Sequence, residues 1–334
     1  MLIDGGLGFE AEKMGERARE VEAQGYDGAW STETGHDPLL ILAAAAPATE
    51  RLQLGTGIVV AFGRSPMITA TMANDVQLLS KGRLLLGLGS QIKPHIEKRY
   101  SMPWSHPAAR MREYILALRA IWASWNEGTK LNFRGDFYTH TLMTPFFSPG
   151  PNPYGAPKVF LAAVGELMTE VAGEVADGIL IHGFTTERYL REKTMPALGR
   201  ALAAGGRSRE SFQVSYPGFI ITGTPEERET ARAMVRGQIA FYGSTPAYRP
   251  VLELHGWGDL QTELNNLSKL GEWAKMATLI DDDVLDAFAV TAEPGDVAAE
   301  VRKRYGDLID RFSFYAPYHL APERWAEVLA GFRD

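Results

Sequence analysis

The sequence predicts an α/β fold, a (β/α)8 TIM-like barrel with insertions after strands four and seven. Three observations carry the prediction. Residues 53–91 read as one complete βαβ unit: a buried strand, a capped helix and a second buried strand. The same strand–helix rhythm recurs along the chain often enough to count eight strands. The 334 residues, 45% of them hydrophobic, suffice for one barrel of about 250 residues with insertions. A single domain over 1–334, with insertions at about 91–105 and 242–273, accounts for the whole chain.

Strand one is Leu2–Gly6, and the helix from about Glu10 to Gln24 stops at Gly25, a C-cap glycine. Gly28–Ser31 is strand two, after which Asp37-Pro38 opens a short helix over Leu39–Ala46. Strand three, Gln53–Val60, carries Leu54, Ile58, Val59 and Val60, the apolar run of a strand covered on both faces. Ser65 caps the next helix, and Pro66 fills a first-turn position whose N–H would have no partner. Ile68, Met72, Val76 and Leu79 recur at helical spacing and are expected to face the sheet. Lys81-Gly82-Arg83 ends that helix, and Leu84–Leu88 is strand four.

The loop Gln91–Trp104 then brings Lys93, His95, Glu97, Lys98, Arg99 and Tyr100 to the C-terminal end of strand four, where barrels keep their chemistry. A helix from Pro107 to Gly128 presents Met111, Tyr114, Ile115, Leu118, Ile121 and Trp122 on one face. Lys130–Tyr138 reads as a hairpin, and Pro145–Pro157 as a connector within the domain, because the alternation resumes at once. Strands Val159–Ala163, Gly178–Ile181 and Phe212–Thr222 alternate with helices Glu166–Ala176, Glu187–Ala204 and Pro225–Ala240. Tyr242–Trp273, rich in Gly, Pro and aromatics, reads as an irregular lid-like insertion. A helix near Asp296–Tyr305, strand Phe312–Tyr315 and helix Pro322–Phe332 complete the barrel.

Composition excludes several function classes. The net charge is −7 and the 34 basic residues are scattered, so neither nucleic acid nor an anionic membrane surface is an expected partner. No basic-then-apolar leader precedes strand one, and Pro38–Ala48 is too short to span a bilayer. A soluble, cytoplasmic protein acting on a small molecule is expected. The absence of cysteine rules out disulfides and a thiolate nucleophile, and the seven histidines never fall at paired-ligand spacing, so no metal site is expected. Gly87-Leu88-Gly89 begins like a dinucleotide fingerprint but lacks its third glycine and its helix. Ala162-Ala163-Val164-Gly165 before a helix is either an ordinary strand-to-helix turn or a backbone anion site.

The sequence resembles the luciferase-like superfamily of flavin- and deazaflavin-dependent oxidoreductases, and within it the coenzyme F420-dependent group. Six stretches carry the resemblance in order: GYDGAW, RLQLGTGIVVAFGRSP, GRLLLGLGSQ, AARMREYILALRAIW, FRGDFY and AGEVADGILIHG. The resemblance implies a TIM-like barrel with the tricyclic coenzyme across its C-terminal mouth, and a homodimer. It implies a non-proline cis peptide at Gly57-Ile58 beneath the ring, where the alternative is a plain strand glycine. Gly89 and Ser90 would lie near the ribityl or phosphate side, and Val164, Gly165 and Glu166 would hold the phosphate through backbone N–H groups. His182 would border the pocket or serve as a structural residue.

Sugar-phosphate dehydrogenases of the family carry an Asp-His pair after strand two and a glutamate after strand four. Glu33-Thr34 and Gln91-Ile92 stand in those places here, so that acid/base scheme does not transfer. Glu33, His36 and His95 are the remaining catalytic candidates, each equally readable as a solvated or capping loop residue. Lys93 and Arg99 either bind an anion or form a solvated face. The expected activity is hydride transfer between F420 and a small organic substrate. The alternatives are an FMN-dependent monooxygenase supplied by a separate flavin reductase, and a non-catalytic flavin-binding barrel. Trp104, Phe146, Phe147, Tyr242, Tyr248 and Trp257 suggest a rather apolar pocket.

Overall fold

The computed structural model describes residues 1–333. Its strands are β1 (Leu2–Gly6), β2 (Gly28–Ser31), β3 (Gln53–Thr56), β4 (Val59–Val60), β5 (Leu84–Gly89), the hairpin β6 (Phe133–Arg134) and β7 (Thr139–His140), β8 (Lys158–Ala163), β9 (Gly178–Ile181), β10 (Gln213–Ile221), β11 (Ala289–Thr291) and β12 (Arg311–Tyr315). Eight of them close a parallel ring in the order β1, β2, β3, β5, β8, β9, β10, β12, with β12 pairing back onto β1. The (β/α)8 barrel expected from the strand count is therefore the observed fold. Strand three is broken, because Val59–Val60 pairs with β5 as a separate piece after Gly57 and Ile58.

The helices are α1 (Met14–Gln24), α2 (Pro38–Ala45), α3 (Pro66–Leu79), α4 (Lys93–Lys98), α5 (Pro107–Glu127), α6 (Glu166–Val175), α7 (Glu187–Tyr189), α8 (Met195–Ala204), α9 (Pro225–Gly243), α10 (Arg249–Leu254), α11 (Gly258–Leu270), α12 (Trp273–Thr278), α13 (Asp282–Phe288), α14 (Val297–Tyr305) and α15 (Pro322–Ala330). Two expectations are corrected here. The segment read as an irregular lid is α10, α11 and the start of α12, and the insertion runs on through α13 to β11. Leu264 and Leu267 are buried one turn apart on α11, and Gly271 ends that helix in the left-handed region at φ 75°. Its helical period is hidden by the surrounding glycines and aromatics. β11 then pairs with the upper end of β10, on the edge that β9 covers lower down.

The second correction concerns α3. Thr69, Ala70, Ala73, Val76 and Gln77 are its buried face, while Ile68 is 55% and Leu79 47% exposed. Small residues let the helix lie close to its neighbours, and the Thr69 hydroxyl shares a hydrogen bond with the Tyr114 hydroxyl of α5 at 2.6 Å. Val76 is buried and Met72 packs against the core as expected, so packing selects a face that overlaps the apolar stripe but is offset from it.

One polar cluster sits inside the barrel wall. Arg311 grips Asp4 with two hydrogen bonds of 2.8 and 2.6 Å, and both side chains are fully buried. The Trp30 indole N–H also donates to Asp4 at 2.9 Å, and Arg311 donates to the Gln53 side chain at 2.5 Å. Four strands, β1, β2, β3 and β12, are tied together. Gly28 leaves the room: a Cβ there would lie 2.6 Å from both Arg311 and Asp4. Buried charges of this kind are tolerated only when paired and hydrogen-bonded.

Candidate active site

The strands of a barrel all point their C-terminal ends to one mouth, which gathers residues far apart in sequence. Here the mouth gathers Ser31 at the end of β2 and Glu33 after it, Gly57-Ile58 after β3, Gly89 and Ser90 at β5, Val164 and Gly165 after β8, His182 after β9 and Tyr315 at β12. The Gly57-Ile58 peptide is cis. Ile58 reaches toward β5, where a Cβ on Gly89 would lie 2.3 Å from its Cδ1. Only glycine fits beneath that side chain.

Glu33 is not a free carboxylate. It accepts hydrogen bonds from the Val60 N–H at 2.8 Å, from both Arg64 terminal nitrogens at 2.9 and 3.0 Å, and from the Tyr100 hydroxyl at 2.7 Å. Its side chain is 6% exposed. Arg64 also donates to Asp37 at 2.8 Å, and Asp37 caps α2 through the Leu39 N–H. Burial, and then the bond to Glu33, push the Tyr100 phenol up to about 12. Arg99 donates to the Thr34 carbonyl and stacks over Tyr100. The network pins the loop carrying α4 onto the loop after β2. The geometry makes Glu33 a strut between the two loops, with both carboxylate oxygens engaged.

His36 and His95 are exposed, and neither ring has a hydrogen-bond or ion-pair partner among the described residues. His36 stacks on Phe9 with centroids 3.7 Å apart, and His95 lies on α4. The three catalytic candidates share no hydrogen bond or ion pair with one another among the described residues. Lys93 lies 3.9 Å from Glu97 on the solvated face of α4. Ser90 donates to the Gln91 carbonyl at 3.1 Å.

His182 is different. Its Nδ1 accepts from the Phe184 N–H at 3.0 Å, which leaves the ring proton on Nε2, and burial lowers its pKa to about 4. The imidazole is neutral at ordinary pH. It stacks on Tyr248, with centroids 4.6 Å apart, and meets the edge of Tyr242 at 4.8 Å. Tyr315, which sequence reasoning missed, shares a 2.6 Å hydroxyl–hydroxyl bond with Tyr242. Of the six aromatics expected to line a pocket, only Tyr242 and Tyr248 gather here. Phe146 and Phe147 are 89% and 72% exposed, Trp104 packs on Phe62, and Trp257 stacks on His255.

Against this geometry, the family model described as luciferase-like monooxygenase matches residues 4–311. The chain belongs to the luciferase-like monooxygenase family. An uncharacterized protein of Mycobacterium tuberculosis is 55% identical to this luciferase-like chain over 93% of it and 92% of the relative. The F420-dependent glucose-6-phosphate dehydrogenase of Nocardia farcinica is 30% identical over 62% of the chain and 66% of the relative. The coenzyme F420 dependent tetrahydromethanopterin reductase of Methanopyrus kandleri superposes with a TM-score of 0.78 at 19% identity, covering 98% of this chain and 96% of that one. The EDTA monooxygenase of Chelativorans superposes at 0.69 and 18% identity, over 99% and 92%. At those identities the superpositions show the shared fold and do not separate the chemistries. The family and its named members make this luciferase-like chain an oxidoreductase.

The mouth fits a flat ring with a phosphate-bearing tail. Gly6, Gly57, Gly89 and Ser90 present little side-chain bulk, and the Cβ positions of Gly6 and Gly165 open into free space. Gly165, at φ 81°, starts α6 with no side-chain cap, leaving first-turn N–H groups for an anion. The fully buried Ser31 hydroxyl has no hydrogen-bond partner among the described residues. Glu166, beside that helix start, is exposed and paired with Arg200. Among the described residues no group of His, Asp or Glu forms a metal site, and no helix is long and apolar enough to cross a membrane. A depression of about 570 Å³ lined by Met1, Leu2, Gln213 and Asp310 lies at the opposite end of the barrel, where these strands begin.

Proposed function

We propose that this luciferase-like protein transfers hydride between the deazaflavin coenzyme F420 and a small organic substrate. The observation that carries the reading is the coenzyme named in its sequence relatives, F420-dependent dehydrogenases at 30% and 26% identity. The mouth of small residues supports it. When bound, the deazaflavin supplies a carbon that gives or takes two electrons as hydride and reacts poorly with oxygen.

The chain's own residues would do the rest. Gly57, Ile58 and Gly89 would floor the ring, Ser90 would face the ribityl side, and the N–H groups of Val164, Gly165 and Glu166 would hold the phosphate. His182 would wall the pocket as a neutral donor. With Glu33 committed to Arg64 and Tyr100, His36 and His95 remain as loop groups able to exchange a proton with solvent. Homodimer formation is part of the proposal. Ile68 and Leu79, exposed on α3, and Leu40, 63% exposed on α2, are apolar side chains that a partner subunit would cover.

The test is anaerobic mixing of protein and reduced F420 with a panel of carbonyl compounds, then repetition in air. Substrate-dependent reoxidation of the coenzyme at the same rate with and without oxygen is expected. Oxygen uptake stoichiometric with substrate, supported by FMN and a flavin reductase, would mean the monooxygenase reading instead.

A further inference from the structure

The walls of the mouth away from the small-residue shelf come from β9, β12, the last turn of α9 and the segment that follows it. Tyr242 and Tyr315 share one hydrogen bond at 2.6 Å, and neither hydroxyl has another partner among the described residues. Whichever oxygen donates, the other keeps its own proton free. The pair therefore presents one uncommitted O–H. His182 offers a second donor at Nε2, because Nδ1 is already engaged by Phe184. Flat faces flank both donors: Tyr248 stacks on His182, and Phe219 backs Tyr315 with centroids 4.6 Å apart. Gly183 lets Tyr315 come close, since a Cβ there would lie 3.0 Å from its ring.

The cluster is uncharged. Burial alone lowers His182, burial and the Tyr242 phenol hold Tyr248 up to about 12, and burial and the neighbouring phenols raise Tyr315. No Lys, Arg, Asp or Glu contributes to any of the three. Arg249, next to Tyr248, points its charge at Glu253, Gln261 and Thr262.

We infer that the Tyr242–Tyr315 hydroxyl pair and His182 Nε2 bind the oxygen of an uncharged carbonyl compound with a flat, apolar body. This deepens the oxidoreductase reading above and rests on it for turnover. A sugar phosphate is a poor fit, because its dianion would meet phenols and a neutral imidazole in place of cations. The tyrosines select and orient the substrate, and the proton-exchanging loop histidines remain separate from them.

The experiment has two arms. Calorimetric titration with acetophenone, and separately with glucose 6-phosphate, reads the site without requiring turnover. Wild-type protein is expected to bind acetophenone and not glucose 6-phosphate, and the Tyr242→Phe, Tyr315→Phe double variant to weaken acetophenone by about tenfold, the worth of one hydrogen bond. Each single variant keeps one hydroxyl and its proton, so each is expected to lose less than the double variant. A second arm measures reduced-F420 oxidation by acetophenone, in which KM rises in each variant while affinity for the coenzyme is unchanged. Equal acetophenone binding by wild type and variants, no binding by wild type, or preference for glucose 6-phosphate each overturns the inference. Failure of F420 to bind at all overturns the coenzyme reading, and the first arm still judges the tyrosines.

Discussion

Asp4→Asn is expected to destabilise the barrel by about 3–5 kcal/mol, the cost of leaving one member of a buried ion pair unmatched. Asparagine keeps the shape of Asp4 but removes the charge that answers a fully buried Arg311. The guanidinium then has only the Gln53 side chain and a neutral amide as partners. Arg311→Met should cost a similar amount by stranding the carboxylate with the Trp30 indole N–H. Replacing both, Asp4→Leu with Arg311→Met, should recover much of the loss, because the desolvation of two charges disappears with them. Urea unfolding of wild type and the three variants checks this ranking. Single variants within about 1 kcal/mol of wild type would mean that the pair is solvated and contributes little.

Glu33→Gln is expected to lower stability by about 3 kcal/mol and to weaken coenzyme binding with it. The carboxylate answers Arg64, whose side chain is 15% exposed, and it holds the Val60 N–H, two residues beyond Ile58. An amide at this site turns a donor toward the guanidinium or the Tyr100 hydroxyl. The loop carrying α4 loses its anchor, and the mouth loses a fixed wall. Tyr100→Phe should show the same pattern in weaker form, because it removes one donor and leaves the ion pair intact. A catalytic base at this position would behave otherwise: turnover would collapse while the unfolding midpoint and coenzyme affinity stayed put. Unfolding curves and coenzyme titrations on the same preparations separate the two.

Much of this was legible in the sequence because local rules and the global fold agree over most of the chain. Ser65 caps α3 through the Ile68 N–H as its place before Pro66 implies, and the eight barrel strands fall within a few residues of the apolar runs. What was illegible depends on contacts between distant segments. The partners of Glu33 lie 27, 31 and 67 residues away, so its place after strand two suggested chemistry, and nothing local showed that its carboxylate is tied to distant segments. Tyr315 sits in an aromatic-rich strand end with nothing local to distinguish it from packing, and only the approach of α9 gives its hydroxyl a partner. The stripe on α3 misled at Ile68 and Leu79 for a related reason. Periodicity finds an apolar face but not what covers it, and here small residues on the adjacent face took the core.

A fluorescence titration of the purified protein with F420 and, separately, with FMN distinguishes hydride transfer from oxygen chemistry at its first step. Micromolar or tighter binding of F420 with little response to FMN is expected. Preference for FMN would contradict the hydride-transfer proposal in favour of a monooxygenase with a reductase partner, and binding of neither would leave a luciferase-like barrel that has lost its coenzyme.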